Sequence, residues 1–243
     1  MIKKIVLLLR GMLLFKTWHM WLGDRLGFKM KHGEFRMRSG ARFMVSPDWG
    51  DAIGYFQEIW LQKKYTKYYT PKNGDCVMDI GAAIGEFSIF AALCGKNVKV
   101  YCYEPDNRCF GRLKRNIQLN SLASRVFPLN LAVSGKEGEL EIFDGGNDYM
   151  EDRKYLTRAT TLEKIFRDNK IERCDFLKID IEGAEYDVLK SAPRSLFKII
   201  NHIVVEYHDG LQGLDDLLKE AGYEIHTMAS INEVGYLYAD RTA

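Results

Sequence analysis

Hydrophobic and polar positions follow two different patterns along the chain. From residue 71 onward, short apolar runs typical of buried strands alternate with segments of helical periodicity. Strands are predicted at residues 76–80, 98–103, 126–132, 140–143, 176–180, 203–206, 224–228 and 236–239, with a hairpin around 135–138 and a loop at 144–154. Helices are predicted at residues 84–94, 108–119, 161–168, 185–191 and 211–221. This alternation predicts an α/β fold with a mostly parallel sheet, helices on both of its faces and an antiparallel C-terminal strand.

The first 70 residues lack this alternation and are predicted to form a cap. The predicted elements are two helices at residues 1–30 and 53–69 and a hairpin at residues 34–38 and 41–45. All four tryptophans precede residue 71. The aromatic side chains of the cap either fill core or form a wall of a binding pocket. We therefore assign residues 1–70 to a helical and hairpin cap and residues 71–243 to the α/β domain.

The amino-terminal helix carries both apolar and basic residues. Its apolar run resembles the start of a signal peptide, but Arg10 and Lys16 interrupt the run and no small-residue cleavage site follows. The segment is also too short and too charged to span a bilayer. Polar residues recur at every seventh position, at Lys3, Arg10, Thr17 and Asp24, and Trp18 and Trp21 lie nearby. Such a helix can lie in a membrane interface or can pack on the core of its own domain, and both interpretations stay open.

Composition and charge limit the classes of function. A length of 243 residues fits one large α/β domain, or one domain with a small cap. The net charge of +2 is too close to neutral to indicate a nucleic-acid partner by itself. The five cysteines include no Cys-x-x-Cys pair, and four of them lie in or beside apolar segments, which is typical of buried, reduced thiols. We therefore expect a cytoplasmic protein, with peripheral contact at the inner face of the membrane through residues 1–30 as the alternative.

A glycine-containing loop joins the first strand of the α/β domain to its first helix. The strand ends in Asp79, the loop contains Gly81 and Gly85, and a second strand ends in Glu104 about 20 residues later. This unit binds cofactors that carry a nucleoside, with the acid on the ribose hydroxyls. A dinucleotide site needs a glycine at the third loop position, where this chain has Ala83. The tight loop therefore favours S-adenosylmethionine (SAM), and an ordinary strand-to-helix turn is the alternative.

Acidic residues and a histidine follow the later strands. Ligands of open α/β sheets bind beyond the carboxyl ends of the strands, where Asp180 and Glu182 follow one strand and His208 follows another. Methyl transfer from SAM mainly requires alignment of the acceptor, and a hydroxyl acceptor also benefits from a general base. By residue type His208 is the best base, and Asp180 or Glu182 would orient the acceptor or share that role. As an alternative, these carboxylates cap the next helix, which explains Glu185 well and Asp180 poorly.

A divalent metal is a further alternative at the same strand ends. Asp180, Glu182, Glu206 and His208 offer the carboxylate and imidazole ligands that such ions accept. The spacing of these residues is not diagnostic of a metal site. We therefore assign no metal ligands from the sequence.

Four segments of the chain carry motifs, at residues 79–89 (DIGAAIGEFSI), 104–106 (EPD) with 116–120 (NIQLN), 176–185 (FLKIDIEGAE) and 204–208 (VVEYH). With these motifs the chain resembles the FkbM family of SAM-dependent methyltransferases, from about residue 35 to its end. The resemblance implies a Rossmann-like class I methyltransferase fold and methylation of hydroxyls on polyketides, sugars or other glycans. It implies that Asp180 and Glu182 lie near the transferred methyl group. The candidates for SAM binding are Asp79, Gly81, Ala83, Gly85, Phe87, Glu104 and Pro105; many members of the family have Asn where this chain has Ala83.

The expected function is transfer of a methyl group from SAM to a hydroxyl of a sugar, glycan, lipid-linked or polyketide acceptor. One alternative is methylation of RNA, because an acid–Pro pair after the second strand, here Glu104-Pro105, also occurs in RNA-modifying relatives. Basic residues at 63–67 and 108–115 form two helical clusters that either contact RNA or are solvated faces. The DIEG motif argues against RNA, because it lacks the Asn/Asp-Pro-Pro type of loop that such enzymes often use, and no nucleic-acid partner is expected. A second alternative is a SAM-binding module without catalysis at a membrane surface, supported by Ala83.

Overall fold

The computed structural model describes residues 9–26, 28, 33–45, 52–143, 154–229 and 233–242. Strands β1 to β12 are Gly33–Arg36, Arg42–Val45, Cys76–Ile80, Lys99–Tyr103, Val126–Leu129, Ala132–Val133, Gly138–Phe143, Lys154–Thr160, Cys174–Ile179, Ile200–Tyr207, Tyr223–Ala229 and Gly235–Arg241. Helices α1 to α8 are Trp18–Arg25, Ala52–Phe56, Glu86–Leu93, Asn107–Leu119, Leu162–Asp168, Glu185–Ser191, Arg194–Phe197 and Leu214–Glu220. A short π-helix, Gln57–Leu61, follows α2.

A seven-stranded sheet forms the centre of the fold, in the order β11-β12-β10-β9-β3-β4-β5. The strands from β10 to β5 in this order are parallel, and β12 is antiparallel to both β10 and β11. In the sheet, β3 has β4, the next of these strands along the chain, on one side and β9, to which the chain returns later, on the other side. This reversal opens a crevice at the carboxyl ends of β3 and β9, where ligands of such sheets bind. The predicted fold class, with its antiparallel C-terminal strand, is confirmed.

Two hydrophobic clusters cover the two faces of the sheet, because successive strand residues point to opposite sides. In β3, Val77 belongs to one cluster and Met78 to the other. The cluster around Val77 also contains Phe35 and Phe43, so the cap packs on this face. These two residues lie on β1 and β2, which pair as the predicted hairpin. The division of the chain at residue 70 stays a prediction.

The prediction of one helix over residues 1–30 is wrong for the described residues, because the chain leaves the helix at Phe15. Phe15 is fully buried and forms an antiparallel bridge with Met37. The amide of Lys16 donates to the carbonyl of Arg36 at 2.9 Å. The backbone thus bonds to the hairpin instead of continuing the helix, and α1 begins after this contact. The first eight residues lie outside the described part of the chain.

The aromatic segment at residues 53–69 forms a shorter helix than predicted. α2 passes into the π-helix, and Lys63 then adopts a left-handed φ of 53°. The loop that follows carries Tyr65 to the ends of β9 and β10, where its hydroxyl contacts Asp180 and Glu206. The helix therefore ends earlier than predicted, and the loop after it places the buried side chain of Tyr65 in the crevice.

A second sheet contains three strands in the order β6-β8-β7. The predicted hairpin around residues 135–143 is corrected, because β6 and β7 both pair with β8 and not with each other. β8 is absent from the predicted elements, since its side chains alternate between exposed and half-buried positions and only Thr160 is buried. The predicted loop at residues 144–154 falls almost entirely outside the described residues.

Candidate active site

The glycine loop between β3 and α3 is fixed to the ends of β4 and β9. The amides of Gly81 and Ala82 both donate to the carbonyl of Tyr103, each at 3.0 Å. Gly81 has a φ of 80°, and a Cβ at this position would lie 1.8 Å from the carbonyl oxygen of Asp180. The glycine is therefore needed for contact with the end of β9 and not only for approach of a ligand. Gly85, with a φ of 94°, is the N-cap residue of α3.

The carboxylate of Glu104 is held inside this loop at the end of β4. Its Oε2 accepts from the amide of Ala83 and its Oε1 accepts from the amide of Asp106, both at 2.8 Å. Burial raises the pKa of Glu104 to about 7, although the two amides act to lower it. Each carboxylate oxygen can accept two hydrogen bonds and here accepts one from an amide, so both retain capacity for the ribose hydroxyls predicted from the sequence.

Ala83 adopts a backbone conformation that is unfavourable for most residues with a Cβ. Its φ of 49° lies in the left-handed region, which Asn adopts several-fold more often than most residues with a Cβ. An Asn at this position, as in many members of the family that the chain resembles, therefore suits the conformation that the loop requires. The amide of Ala83 keeps its bond to Glu104 despite this cost.

Lys178 lies beneath the loop and is a central residue that the sequence analysis does not assign. Its buried ammonium lies 3.2 Å from Oδ1 of Asp79 and 3.5 Å from Oδ2 of Asp180, and it donates to the carbonyl of Gly81 at 2.6 Å. Burial by itself lowers the pKa of Lys178, but the two carboxylates outweigh burial and raise it. The available signal was a lysine inside an otherwise apolar strand, since lysines are almost never fully buried without a partner.

Two further predicted cofactor residues are buried and a third is half-buried. Asp79 is fully buried and accepts from the hydroxyl of Ser88 at 2.6 Å. Phe87 is buried with its ring centroid 5.5 Å from that of Tyr65. Pro105 is half-buried beside Glu104. Their roles as cofactor contacts stay predictions.

Asp180, Glu182 and His208 converge at the ends of β9 and β10. His208 Nε2 lies 3.7 Å from Oδ1 of Asp180 and 3.5 Å from Oε2 of Glu182. Nδ1 of the same ring lies 2.9 Å from Glu185, a buried carboxylate at the start of α6. One ligand atom from each of the three predicted residues lies within 4.8 Å of the others, so they could hold a divalent cation. Glu206, the fourth ligand considered from the sequence, is not part of this group.

The carboxylates around His208 set its charge. Burial alone would lower the pKa of His208, but the bond to Glu185 and the charges of Glu182 and Asp180 raise it to about 9. The ring is therefore an imidazolium at neutral pH and has no lone pair for a proton. The predicted role of His208 as general base stays a prediction, and it requires the neutral ring that predominates only above pH 9.

A buried hydroxyl joins Asp180 to Glu206. Tyr65 Oη lies 2.8 Å from Oδ2 of Asp180 and 2.7 Å from Oε2 of Glu206, and Tyr236 donates to Oε1 of Glu206 at 2.7 Å. One hydroxyl proton cannot satisfy two carboxylates, so the pair needs a second proton. Burial first, and then the charge of Asp180, raise the pKa of Glu206. We infer that protonated Glu206 donates to Tyr65, and that Tyr65 donates to Asp180.

A glutamine at position 206 should reproduce the protonated glutamate. Its NH₂ group would donate to Tyr65 and its oxygen would accept from Tyr236. We expect Glu206→Gln to change the free energy of unfolding by less than about 1 kcal/mol, and Glu206→Ala to lower it by roughly 2–3 kcal/mol because buried hydroxyls lose their partners. Urea unfolding at pH 7 measures both values. Equal losses in the two variants would show that Glu206 is ionised in the folded protein.

Glu86 provides a test of whether the crevice fits a positively charged ligand. It is the first residue of α3, directly after the glycine loop, and it is 4% exposed. Its Oε1 has no hydrogen-bond partner among the described residues, and burial raises the pKa of this carboxyl to about 8. A buried acid with an unpaired oxygen fits a ligand that brings its own cation. SAM carries a sulfonium and an ammonium group, so the residues present fit this cofactor.

The sequence matches a family model over more than half of the chain. Residues 79–225 match the model described as the methyltransferase FkbM domain. Methyltransferase sdnD of Sordaria araneosa is 26% identical, with 70% of this chain and 81% of that protein covered. The hexuronic acid methyltransferase AglP of Haloferax volcanii is 25% identical, with 62% and 64% covered. The 31-O-demethyl-FK506 methyltransferase FkbM of Streptomyces tacrolimicus is 26% identical, with 66% and 76% covered.

A solved structure agrees with this match at the level of the fold. The crystal structure of methyltransferase FkbM from Methylobacillus flagellatus superposes with a TM-score of 0.55 at 18% identity. The match covers 76% of this chain but only 47% of the solved chain, so this chain spans under half the length of that protein. The chain therefore belongs to the methyltransferase FkbM domain family and uses SAM as its cofactor.

Proposed function

We propose that the chain transfers the methyl group of SAM to a hydroxyl of a sugar, glycan or polyketide-like acceptor. The contact between the glycine loop and the acid cluster carries this proposal. Asp180 donates its amide to the carbonyl of Ile80 at 3.1 Å, and its own carbonyl lies where a side chain on Gly81 would be. Asp180, whose carboxylate is proposed to receive the proton of the acceptor hydroxyl, therefore lies directly beside the loop that is proposed to hold SAM.

Carboxylates are the proposed proton acceptors at neutral pH. SAM supplies an electrophilic methyl group on a sulfonium, which leaves as a neutral thioether. Asp180 orients the hydroxyl and takes its proton as the acceptor oxygen bonds to the methyl carbon. Glu182, whose side chain is 80% exposed, passes the proton to solvent. The imidazolium of His208 holds the two carboxylates in place, with Glu185 fixing the ring from its other side.

Two relatives support the class of acceptor. One of them is a hexuronic acid methyltransferase, and another acts on 31-O-demethyl-FK506. The first name describes a sugar acid, and the second describes a compound that lacks an O-methyl group. A small cluster of carboxylates beside the donor loop suits such a hydroxyl, because it accepts the hydroxyl proton without needing a metal-bound or thiolate group.

Calorimetry and a transfer assay test the proposal together. The folded protein should bind SAM, and methyl-labelled SAM should transfer its label to hexuronic-acid glycans or to O-demethyl polyketides when these are offered in parallel with total RNA. Absence of SAM binding by folded protein would overturn the cofactor site. Label in RNA alone would favour the RNA alternative, and SAM binding with no transfer to any acceptor would favour the non-catalytic module.

The variant Asp180→Asn tests whether the carboxylate of Asp180 accepts the proton of the acceptor hydroxyl. The amide keeps the shape of the carboxylate and still accepts from Tyr65, but it cannot take a proton. We expect the rate of methyl transfer to fall by roughly 10²–10⁴-fold, while SAM affinity changes by less than about threefold, since no cofactor bond is assigned to this side chain. A single-turnover assay at saturating SAM measures the rate. An unchanged rate would remove Asp180 from the proton-accepting role.

A further inference from the structure

Exposed apolar side chains are concentrated in the cap. Of nine large hydrophobic side chains exposed among the described residues, five lie between residues 9 and 28. They are Leu9, Leu13, Trp18, Leu26 and Phe28, with exposed fractions from 38% to 73%. Single exposed apolar residues are ordinary on protein surfaces, but several within one short segment indicate an interaction site.

The short helix at residues 9–14, which precedes α1, ends beside the hairpin that carries Arg36 and Arg38. Leu9 and Leu13 are four residues apart in the helix at residues 9–14, so they share one face. The helix ends against the hairpin, where the carbonyl of Leu14 accepts from the amide of Arg38 at 2.8 Å. Two residues further along the chain, the amide of Lys16 donates to the carbonyl of Arg36. The exposed leucines and the basic hairpin are therefore joined by backbone hydrogen bonds.

A cavity on this basic surface is lined mainly by cations. Its volume is about 280 Å³, and it is lined by Lys16, Arg36, Met37, Gly40 and Arg42. Arg10 and Arg38 are also exposed on the cap. Glu34 is the one acidic residue among the side chains described in residues 9–45, and it is bound by Arg36 at 2.8 Å and by Arg42 at 2.6 Å. The side chains described in residues 9–45 therefore include five Lys and Arg side chains and one acidic side chain, whereas the whole chain carries a net charge of only +2.

We propose that this face of the cap docks on the surface of an anionic phospholipid bilayer. The exposed leucines and Trp18 enter the boundary between headgroups and acyl chains, as in interfacial helices. The cavity lined by Lys16, Arg36 and Arg42 takes a lipid phosphate, since juxtamembrane basic residues are attracted by anionic headgroups. No helix in the described ranges is long and apolar enough to cross a membrane, so the contact is peripheral. The inference goes beyond the proposed function and does not depend on it.

Co-sedimentation of the full chain with vesicles tests this surface. The protein should pellet with vesicles that contain phosphatidylglycerol, pellet less as salt rises, and stay in solution with pure phosphatidylcholine. Leu13→Ser should weaken binding by roughly tenfold, because one exposed leucine loses its transfer into the interface. Lys16→Gln should weaken binding by about fivefold and reduce its salt dependence. Both residues are exposed, so thermal unfolding should be unchanged.

Leu156→Ser is the matched control, because Leu156 is 69% exposed and lies on β8, outside the cap. This variant should bind vesicles as tightly as the unmodified protein. Equal weakening by Leu156→Ser, or no binding of the full chain to anionic vesicles, would overturn the proposal. Self-association in size-exclusion chromatography that Leu13→Ser abolishes, without any vesicle binding, would assign the face to a second copy of the chain instead. Free inorganic phosphate that competes fully at low concentration would reassign the cavity to a soluble ligand.

Discussion

Replacement of Lys178 by methionine is expected to lower the free energy of unfolding by roughly 3–5 kcal/mol. Methionine keeps most of the apolar stem of lysine but leaves Asp79, which has no exposed surface, without the ammonium 3.2 Å from its carboxylate. The carbonyl of Gly81 also loses its 2.6 Å donor. Removal of one partner of a buried ion pair is costly because the remaining charge stays desolvated.

Urea unfolding measures this loss, and two further variants identify its origin. Asp79→Asn combined with Lys178→Met removes the uncompensated charge and should recover part of the stability, which a double-mutant cycle quantifies. Lys96→Met, at an exposed lysine, should change stability by less than about 0.5 kcal/mol. SAM affinity should fall in Lys178→Met even where the protein remains folded, because the glycine loop loses its anchor. A loss below about 1 kcal/mol would mean that Asp79 is neutral in the folded state.

Stability is expected to depend on pH through His208. The pKa of this ring is about 9 in the folded protein against 6.5 as the ordinary value, because Glu185, Glu182 and Asp180 outweigh burial. The folded state thus holds the proton more tightly, and the resulting stability is complete below pH 6.5 and is lost as the pH rises to about 9. The difference corresponds to about 3 kcal/mol for a side chain that is 18% exposed.

Comparison with His208→Gln isolates this contribution from other titrating groups. Urea unfolding of both proteins across this pH range should show their difference in stability shrinking as the pH rises, by up to about 1.4 kcal/mol per pH unit. The lowered pKa of Glu185 reports the same interaction and adds nothing to the total. A difference that is constant over this pH range would mean that His208 is neutral in the folded protein, as the predicted role of general base requires.

The sheet and its functional edge are predictable from the sequence because their signals are local. Apolar runs that end in Asp79, Glu104 and Asp180 identify the strands and, through the parallel topology, place these carboxylates at one edge. Glycines at loop positions identify the turn, and here the structure adds a second reason for Gly81, its contact with β9.

The buried network is not predictable, because each of its contacts joins residues that are distant in sequence. Tyr65 reaches Asp180 and Glu206 only after the chain abandons the predicted helix. In the sequence, Lys178 is only a charged residue within an apolar strand. Its ion-pair partner Asp79 lies on another strand, so the pair is evident only in the structure. The charge of His208 likewise depends on Glu185, Glu182 and Asp180, which are distant from it in sequence and which residue type alone does not reveal.

The contact between Gly81 and Asp180 couples the position of the proposed SAM-binding loop to the position of the proposed proton acceptor. The donor loop cannot shift without displacing the backbone that carries the proton acceptor, because no space remains between them. We therefore expect acceptor preference to change through positions outside this contact. A designer who seeks a new substrate should leave the residues on either side of that contact alone.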